Sequence, residues 1–370
     1  MSFTNNIYCR LGICVIILIC NITTLYATDF VVNGIYYNIK SITEMTCTVS
    51  SPQVVNNIGD KLYLGGIREY DYKRPSENLY YGYIHIPEEV TYQNRKLKVV
   101  GIDPYAFYKC SSLYSISLPS TLKYIGYYAF SECTQLSVVE GNINASICQN
   151  AFFKCTALAE IHLNGGEFIG FQAFDGCTSL KSIQIPNTVS KIGKKAFSNC
   201  KNLKNVEIID GNTSIAMYES VFINCNIVNL YIGRNLSYLS SVDFCPPFNH
   251  VEHIEIGQSV TTINDGVELY NVIGYGFADL TKELNEKFES VIDLESLRYI
   301  ICGKSLTYLP AFKRAKLASI VCYSEEPLSV KGEMSFYVIL NATLYVPDGA
   351  IDKYHSSTQW KDFVIKEVTQ

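Results

Sequence analysis

Hydrophobic and polar positions repeat along the middle of this chain with a period of 22 to 23 residues. Ala-Phe followed three residues later by Cys recurs as Ala106-Phe107…Cys110, Ala129-Phe130…Cys133, Ala151-Phe152…Cys155, Ala173-Phe174…Cys177 and Ala196-Phe197…Cys200. A worn copy follows, Val221-Phe222…Cys225, and the Cys-to-Cys steps are 23, 22, 22, 23 and 25. Each copy continues alike. Leu113-x-x-Ile116-x-Leu118-Pro119 leads to Leu122-x-x-Ile125-Gly126, and Leu180-x-x-Ile183-x-Ile185-Pro186 to Val189-x-x-Ile192-Gly193. The alternation in L-x-x-I-x-I predicts a strand with one side buried. The Pro after it stops the strand, and the Gly before Ala-Phe permits a tight corner. A-F-x-x-C then makes a short turn that tucks Phe inward. One coil cannot bury its own apolar side, but stacked coils can, at about 4.8 Å per strand layer. Phe then lies on Phe, Ile on Ile and Cys on Cys, in a mainly β solenoid of 22–25-residue coils with short helical turns and one continuous core.

The flanks carry other patterns. Leu11–Cys20 is a ten-residue apolar run behind Arg10, and Asn21–Ala27 turns polar and ends in a small residue. That order predicts a secretory signal peptide over 1–27, cut after Ala27. Ten residues are too few to cross a bilayer, which takes about 20. Lipid attachment at Cys20 is the rival reading; Leu18-Ile19-Cys20 resembles a lipobox, with Ile19 where that pattern takes Gly or Ala. No later run of 18 apolar residues exists, so no membrane span is expected. Strand-like runs Phe30–Ile39, Thr46–Val49, Lys61–Leu64, Tyr80–Ile86 and Val90–Val100 predict an N-terminal cap of β-hairpins over 28–100. The solenoid then occupies 101–325, with a degenerate stretch and a helical insertion over 264–296. There Leu280, Leu284, Phe288 and Val291 share one helical face. Leu297-x-x-Ile300-x-Cys302 and Leu317-x-x-Ile320-x-Cys322 read as two more rungs. A strand-turn-helix cap closes 326–370, with the single Trp, Trp360, over the last coil.

The repeat line resembles the BspA-type leucine-rich repeats of bacterial surface proteins, with Cys where other leucine-rich repeats carry Asn. Phe30-x-x-x-Gly34-Ile35-Tyr36-Tyr37-Asn38-Ile39 looks like the mature start of the same family in Bacteroides-like bacteria. Leu344-Tyr345-Val346-Pro347-x-Gly349, then Tyr354, Trp360 and Phe363, looks like its end. The resemblance implies a leucine-rich repeat fold and adhesion to host matrix proteins, host cells or other bacteria.

Composition narrows the function. At 48% hydrophobic residues the chain has ample material for a core. A net charge of −5 argues against a nucleic-acid partner, which calls for a concentrated basic surface. Three of the 14 Cys, at 9, 14 and 20, leave with the signal peptide, and eleven remain. An odd number leaves at least one unpaired. The six repeat Cys are expected to form a reduced inward ladder; Cys47, Cys148, Cys245, Cys302 and Cys322 are undecided. No Cys or His pair has zinc spacing. No G-x-S-x-G, H-E-x-x-H, P-loop or dinucleotide fingerprint appears, so neither enzyme activity nor a cofactor is expected. The sequons at Asn144, Asn212, Asn235 and Asn341 would mark surface loops only in a eukaryotic source.

The residues flanking the middle Ile of each strand should point outward. Rung by rung they are Ser115 and Ser117, Val138 and Glu140, Glu160 and His162, Ser182 and Gln184, Asn205 and Glu207, Asn229 and Tyr231, His253 and Glu255. From Glu140 onward this polar, mildly acidic stripe is the candidate surface for an extracellular protein. A rival surface is the Tyr-rich region of Tyr105, Tyr108, Tyr124, Tyr127 and Tyr128, which could equally be coil packing. Glu140, Glu160 and His162 on neighbouring rungs read as a chance metal constellation. The alternative function is a secreted glycan- or peptide-binding protein for nutrient capture, which an aromatic residue exposed in a groove, Tyr231 or Trp360, would favour.

Overall fold

The computed structural model describes residues 25–26, 28–51, 54–55, 80–239, 251–261, 297–310, 316–331 and 336–368. The apolar run 11–20, the Lys61–Leu64 run, Cys245 and the helical insertion 264–296 lie outside the described residues.

Alternation does produce one strand per coil, and these strands pair in parallel. Gly82–His85, Leu113–Ser117, Val138–Ile143 and Glu160–Leu163 form a four-stranded sheet. Ser182–Ile185, Asn205–Ile208, Ile227–Ile232, Val251–Ile256, Tyr299–Cys302, Ser319–Cys322, Thr343–Val346 and Val364–Glu367 form an eight-stranded one. The V-x-x-I-G ends build a second row that the sequence pattern did not disclose. Its two-residue strands Tyr124–Ile125, Ser146–Ile147, Phe168–Ile169 and Lys191–Ile192 run on into Ile215–Tyr218 and Leu236–Leu239. The N-terminal hairpins extend this second row. Phe30–Val32, Ile35–Ser41 and Thr46–Ser50 pair antiparallel, and Thr46–Ser50 then joins Arg95–Ile102 in parallel. Glu89–Tyr92 returns antiparallel beside Arg95–Ile102 through Gln93-Asn94, whose φ of 47° and 58° match a two-residue hairpin turn.

A-F-x-x-C forms a tight corner. Two residues per corner are left-handed, the one before Ala and the one before Cys: Tyr105 and Lys109, Tyr128 and Glu132, Asn150 and Lys154, Gln172 and Gly176, Lys195 and Asn199. That conformation is costly for residues other than Gly. Here each aims its N–H at the next coil, as Lys109 does to the Ser131 carbonyl at 2.8 Å and Lys154 to Asp175 at 2.8 Å. The Gly before Ala-Phe does a different job from the one expected. Gly126, Gly170 and Gly193 are not left-handed; a Cβ on any of them would lie 2.6–2.7 Å from backbone of the coil before. They serve close approach between coils.

The core is a set of ladders. The Phe rings stack face to face from Phe107 through Phe130, Phe152, Phe174 and Phe197 to Phe222, with centroids 4.8–5.2 Å apart and planes within 6°. Tyr80 starts the column against Phe107 at 4.6 Å. The repeat Cys are free thiols, and from Cys133 to Cys225 each donates its S–H to the carbonyl of the Phe one coil back, at 2.9–3.2 Å. At the far end the turn after Thr343–Val346 leads into the short helix Ile351–Ser356. Trp360 is fully buried there and donates to the Leu328 carbonyl at 2.6 Å. The Gln359 amide accepts from the Val330 N–H and donates to its carbonyl, both at 2.9 Å, which caps that edge.

Candidate functional site

The parallel register turns the outward positions into two columns. One runs Ser182, Asn205, Asn229, His253 and on to Tyr299; the other runs Gln184, Glu207, Tyr231 and Glu255. Across the break between the two sheets, Glu140 follows Ser117, and Glu160 follows Val138 and precedes His162 on its own strand. All ten candidate residues from Glu140 to Glu255 reach the surface; Glu207 and Tyr231 are half-buried and the others exposed.

Hydrogen bonds run along the columns. Gln184 donates to Glu207 at 2.6 Å and Asn229 to Asn205 at 2.8 Å; His253 Nδ1 lies 3.0 Å from Asn229 Oδ1. Glu160 and His162 pair at 3.0 Å, both largely exposed. Glu160, His162, Gln184, Asn205, Asn229 and Tyr231 line a shallow groove of about 340 Å³, together with Glu207. Glu140, His253 and Glu255 lie outside its lining. The groove falls where no ladder joins Glu160–Leu163 to Ser182–Ile185.

Electrostatics of the stripe are acidic. No position of the two columns from Ser115 to Glu255 carries Lys or Arg. Partial burial, the bond to Asp210 and the nearby Glu255 and Glu207 push the Tyr231 phenol up to about 12. Among the described residues no three His, Cys, Asp or Glu side chains converge as metal ligands. Burial holds Cys133, Cys155, Cys177 and Cys200 well above the ordinary thiol range, so none of them is a ready nucleophile.

Sequence reasoning stopped the stripe too early. Gly82–His85 pairs with Leu113–Ser117 and adds Tyr83 and His85 to the heads of the columns. Tyr83 is 59% exposed, with Tyr81 and Tyr114 beside it at 73% and 56%. The missing signal is plain: this strand belongs to the cap and lacks L-x-x-I-x-I. Most of the rival Tyr surface packs coils together. Tyr105 stacks on Tyr128 at 5.1 Å and meets Tyr108 edge-on, and Tyr124 donates to Asp103. Tyr127 alone of the five is exposed. Trp360, fully buried, offers no groove aromatic.

The family described as BspA type leucine rich repeat region matches residues 83–168 and 167–272 in six copies. None of the curated proteins compared matches the chain. A leucine-rich repeat protein of T. pallidum is 26% identical over 57% of this chain and 86% of its own, with a TM-score of 0.42. One from Bacteroides ovatus is 18% identical over 92% and 100%, with a TM-score of 0.39. A leucine rich cell surface protein from Faecalibacterium prausnitzii is 15% identical over 92% and 95%, with a TM-score of 0.42.

Proposed function

Because the chain belongs to the BspA-type leucine-rich repeat family, we propose that it is a secreted or cell-surface protein that binds other proteins through its outer strand face. Repeat solenoids offer extended surfaces of this kind. The observation that carries the reading is the pair of register-locked columns, rich in carboxylates and amides and free of Lys and Arg. Such a surface favours a partner with a basic face. Its side chains are held by one another across rungs, so less freedom is lost on binding. The biological role is adhesion to host matrix, host cells or neighbouring bacteria, in which many weak contacts add when copies share a surface. The apolar run 11–20 supports export. Among the described residues no helix is long and apolar enough to cross a membrane. The role involves no catalysis.

The test is an array of extracellular matrix proteins and whole bacteria probed with the purified chain. Saturable binding is expected. Replacing Glu160, His162, Asn205 and Glu207 together with Ala should weaken it at least about tenfold, or roughly 1.4 kcal/mol. Protein binding that survives that change would place the contact elsewhere.

A further inference from the structure

A second concavity, of about 720 Å³, lies beside the groove and shares Tyr231 with it. It is built from the turns that follow the strands. One of these turns is two residues longer than the turn before it: Ile185 pairs with Ile208 in one row and Ile192 with Met217 in the other. The surplus shapes Asp210–Thr213, and insertions in a repeat commonly mark a binding face.

The frame of this space is fixed by the protein itself. Arg234, fully buried, donates to the carbonyls of Pro186 and Asn187 at 2.8 and 2.7 Å and so pins the Asn187 turn. Gly211 packs where a Cβ would meet Asn187 and the Arg234 side chain at 3.2 and 3.3 Å. The Tyr231 hydroxyl donates to the Asp210 carboxylate at 3.0 Å. Gln258 accepts the Lys304 N–H at 3.0 Å, and Ser259 donates to the Gly233 carbonyl at 3.0 Å. The exposed side chains of Asn187, Asn212 and Thr213 line the same space and make no hydrogen bond among the described residues.

That inventory selects a ligand. Two amides and a hydroxyl offer donors and acceptors at the rim. The Asp210 carboxylate keeps acceptor capacity beyond its Tyr231 bond, and the Tyr231 ring supplies a flat apolar wall. A sugar is the complement: adjacent hydroxyls that each donate and accept, and a C–H face that lies on an aromatic ring. Charge disfavours anions: Asp210 lines the space, Glu207 and Glu255 stand near Tyr231, no Lys or Arg is among its described lining residues, and the Arg234 guanidinium is buried beneath. Among the described residues no large aliphatic side chain lines it as an anchor pocket for a peptide. We propose that this concavity binds a neutral saccharide, with Asn187, Asn212, Thr213 and Asp210 reading its hydroxyls and Tyr231 covering one face. The site shares Tyr231 with the protein-binding face but does not rest on that reading.

Calorimetric titration of the purified chain with lactose, maltose, cellobiose and N,N′-diacetylchitobiose tests this, with sialyllactose as the anionic comparator. At least one neutral sugar should bind with a Kd of about 1 mM or tighter. Asn187→Ala with Asn212→Ala should weaken it at least about tenfold. These side chains make no internal bonds, so the melting temperature should hold. Tyr231→Phe keeps the wall but frees Asp210, and should weaken binding less than Tyr231→Ala. Failure of all four neutral sugars to bind would overturn the proposal. So would a preference for sialyllactose, or full affinity in the Asn187/Asn212 variant. Because the readout is sugar binding, its failure leaves the protein array to be judged separately.

Discussion

The repeat Cys shows how one atom joins two coils. The Phe carbonyl in each corner already accepts the N–H of the Cys in its own coil, as Phe152 does from Cys155 at 3.1 Å. The S–H of the next coil's Cys reaches the same oxygen, Cys177 to Phe152 at 3.2 Å. Ala at this position would remove a weak donor and leave a small void. Cys177→Ala should therefore cost about 1–2 kcal/mol, read from denaturant midpoints at unchanged slope. The pH dependence has a definite sign. Burial raises these thiols above their unfolded values, so the neutral form is favoured in the folded chain. Their contribution is complete below the ordinary thiol pKa of about 8.5 and is lost as the pH rises toward the folded values. The melting temperature should thus fall on the alkaline side, and fall less in a variant with several repeat Cys replaced by Ala. Iodoacetamide at pH near 8 should label Cys133, Cys155, Cys177 and Cys200 only after unfolding. Cys148, half-buried and pushed up to about 11, should react slowly in the native chain. Equal native labelling of ladder and denatured thiols would contradict this picture. A sequence reader sees a small buried residue here; the donor role is hidden because its partner is a backbone oxygen one coil away.

At the scale of the coil, the corner stores strain and the stack offsets it. Lys154 sits at φ 56° and its N–H bonds across to Asp175. Lys154→Gly removes the side-chain penalty but adds unfolded-state entropy, so stability should stay within about 0.5 kcal/mol. Lys154→Val should lose about 1–2 kcal/mol, because a β-branched residue fits that backbone poorly. Gly193→Ala should be worse than either, about 2–3 kcal/mol or more, since its Cβ would meet the Phe171 nitrogen at 2.6 Å. Thermal melts of the three variants give the order directly. The contrast also measures what was legible in the sequence. L-x-x-I-x-I announced its strands and outward columns, because period-two alternation fixes which face is buried. The repeating Gly was visible but its role was misread as a corner, since close approach and left-handed geometry both select Gly. The true left-handed positions carry Tyr, Lys, Glu, Gln and Asn as well as Gly176, so composition hides them. Two-residue strands such as Lys191–Ile192 are too short for any periodic signal. The surplus behind the Asp210–Thr213 turn shows in the sequence as the 25-residue step from Cys200 to Cys225, but only pairing register places it between the two rows.

Across the whole molecule the two rows differ in continuity, and that difference bears on binding. The second row passes without interruption from Ser146–Ile147 to Phe168–Ile169 and Lys191–Ile192. The Phe stack also continues there, Phe152 on Phe174 at 5.1 Å and 3°. The outer row alone lacks a ladder at this level, between Glu160–Leu163 and Ser182–Ile185. The core therefore holds both halves together while the outer face is less tied at the groove. Amides of Ser182–Ile185 that point toward Glu160–Leu163 should exchange with solvent faster than those of Asn205–Ile208, which are paired on both sides. Amide exchange resolved by residue would show it, and uniform protection along the outer row would contradict it. A partner laid along the columns would span this level and slow those same amides. Its attraction to Glu140, Glu160, Glu207 and Glu255 is exposed to solvent, where the screening length is about 10 Å at 0.1 M salt. Raising ionic strength should then slow association more than it speeds release, because steering acts before contact. A stripe that bound by shape alone would show equal on-rates in low and high salt. Exchange and salt together therefore separate two contributions that affinity merges: the charge that draws a partner to the face, and the break in pairing that gives it a place to rest.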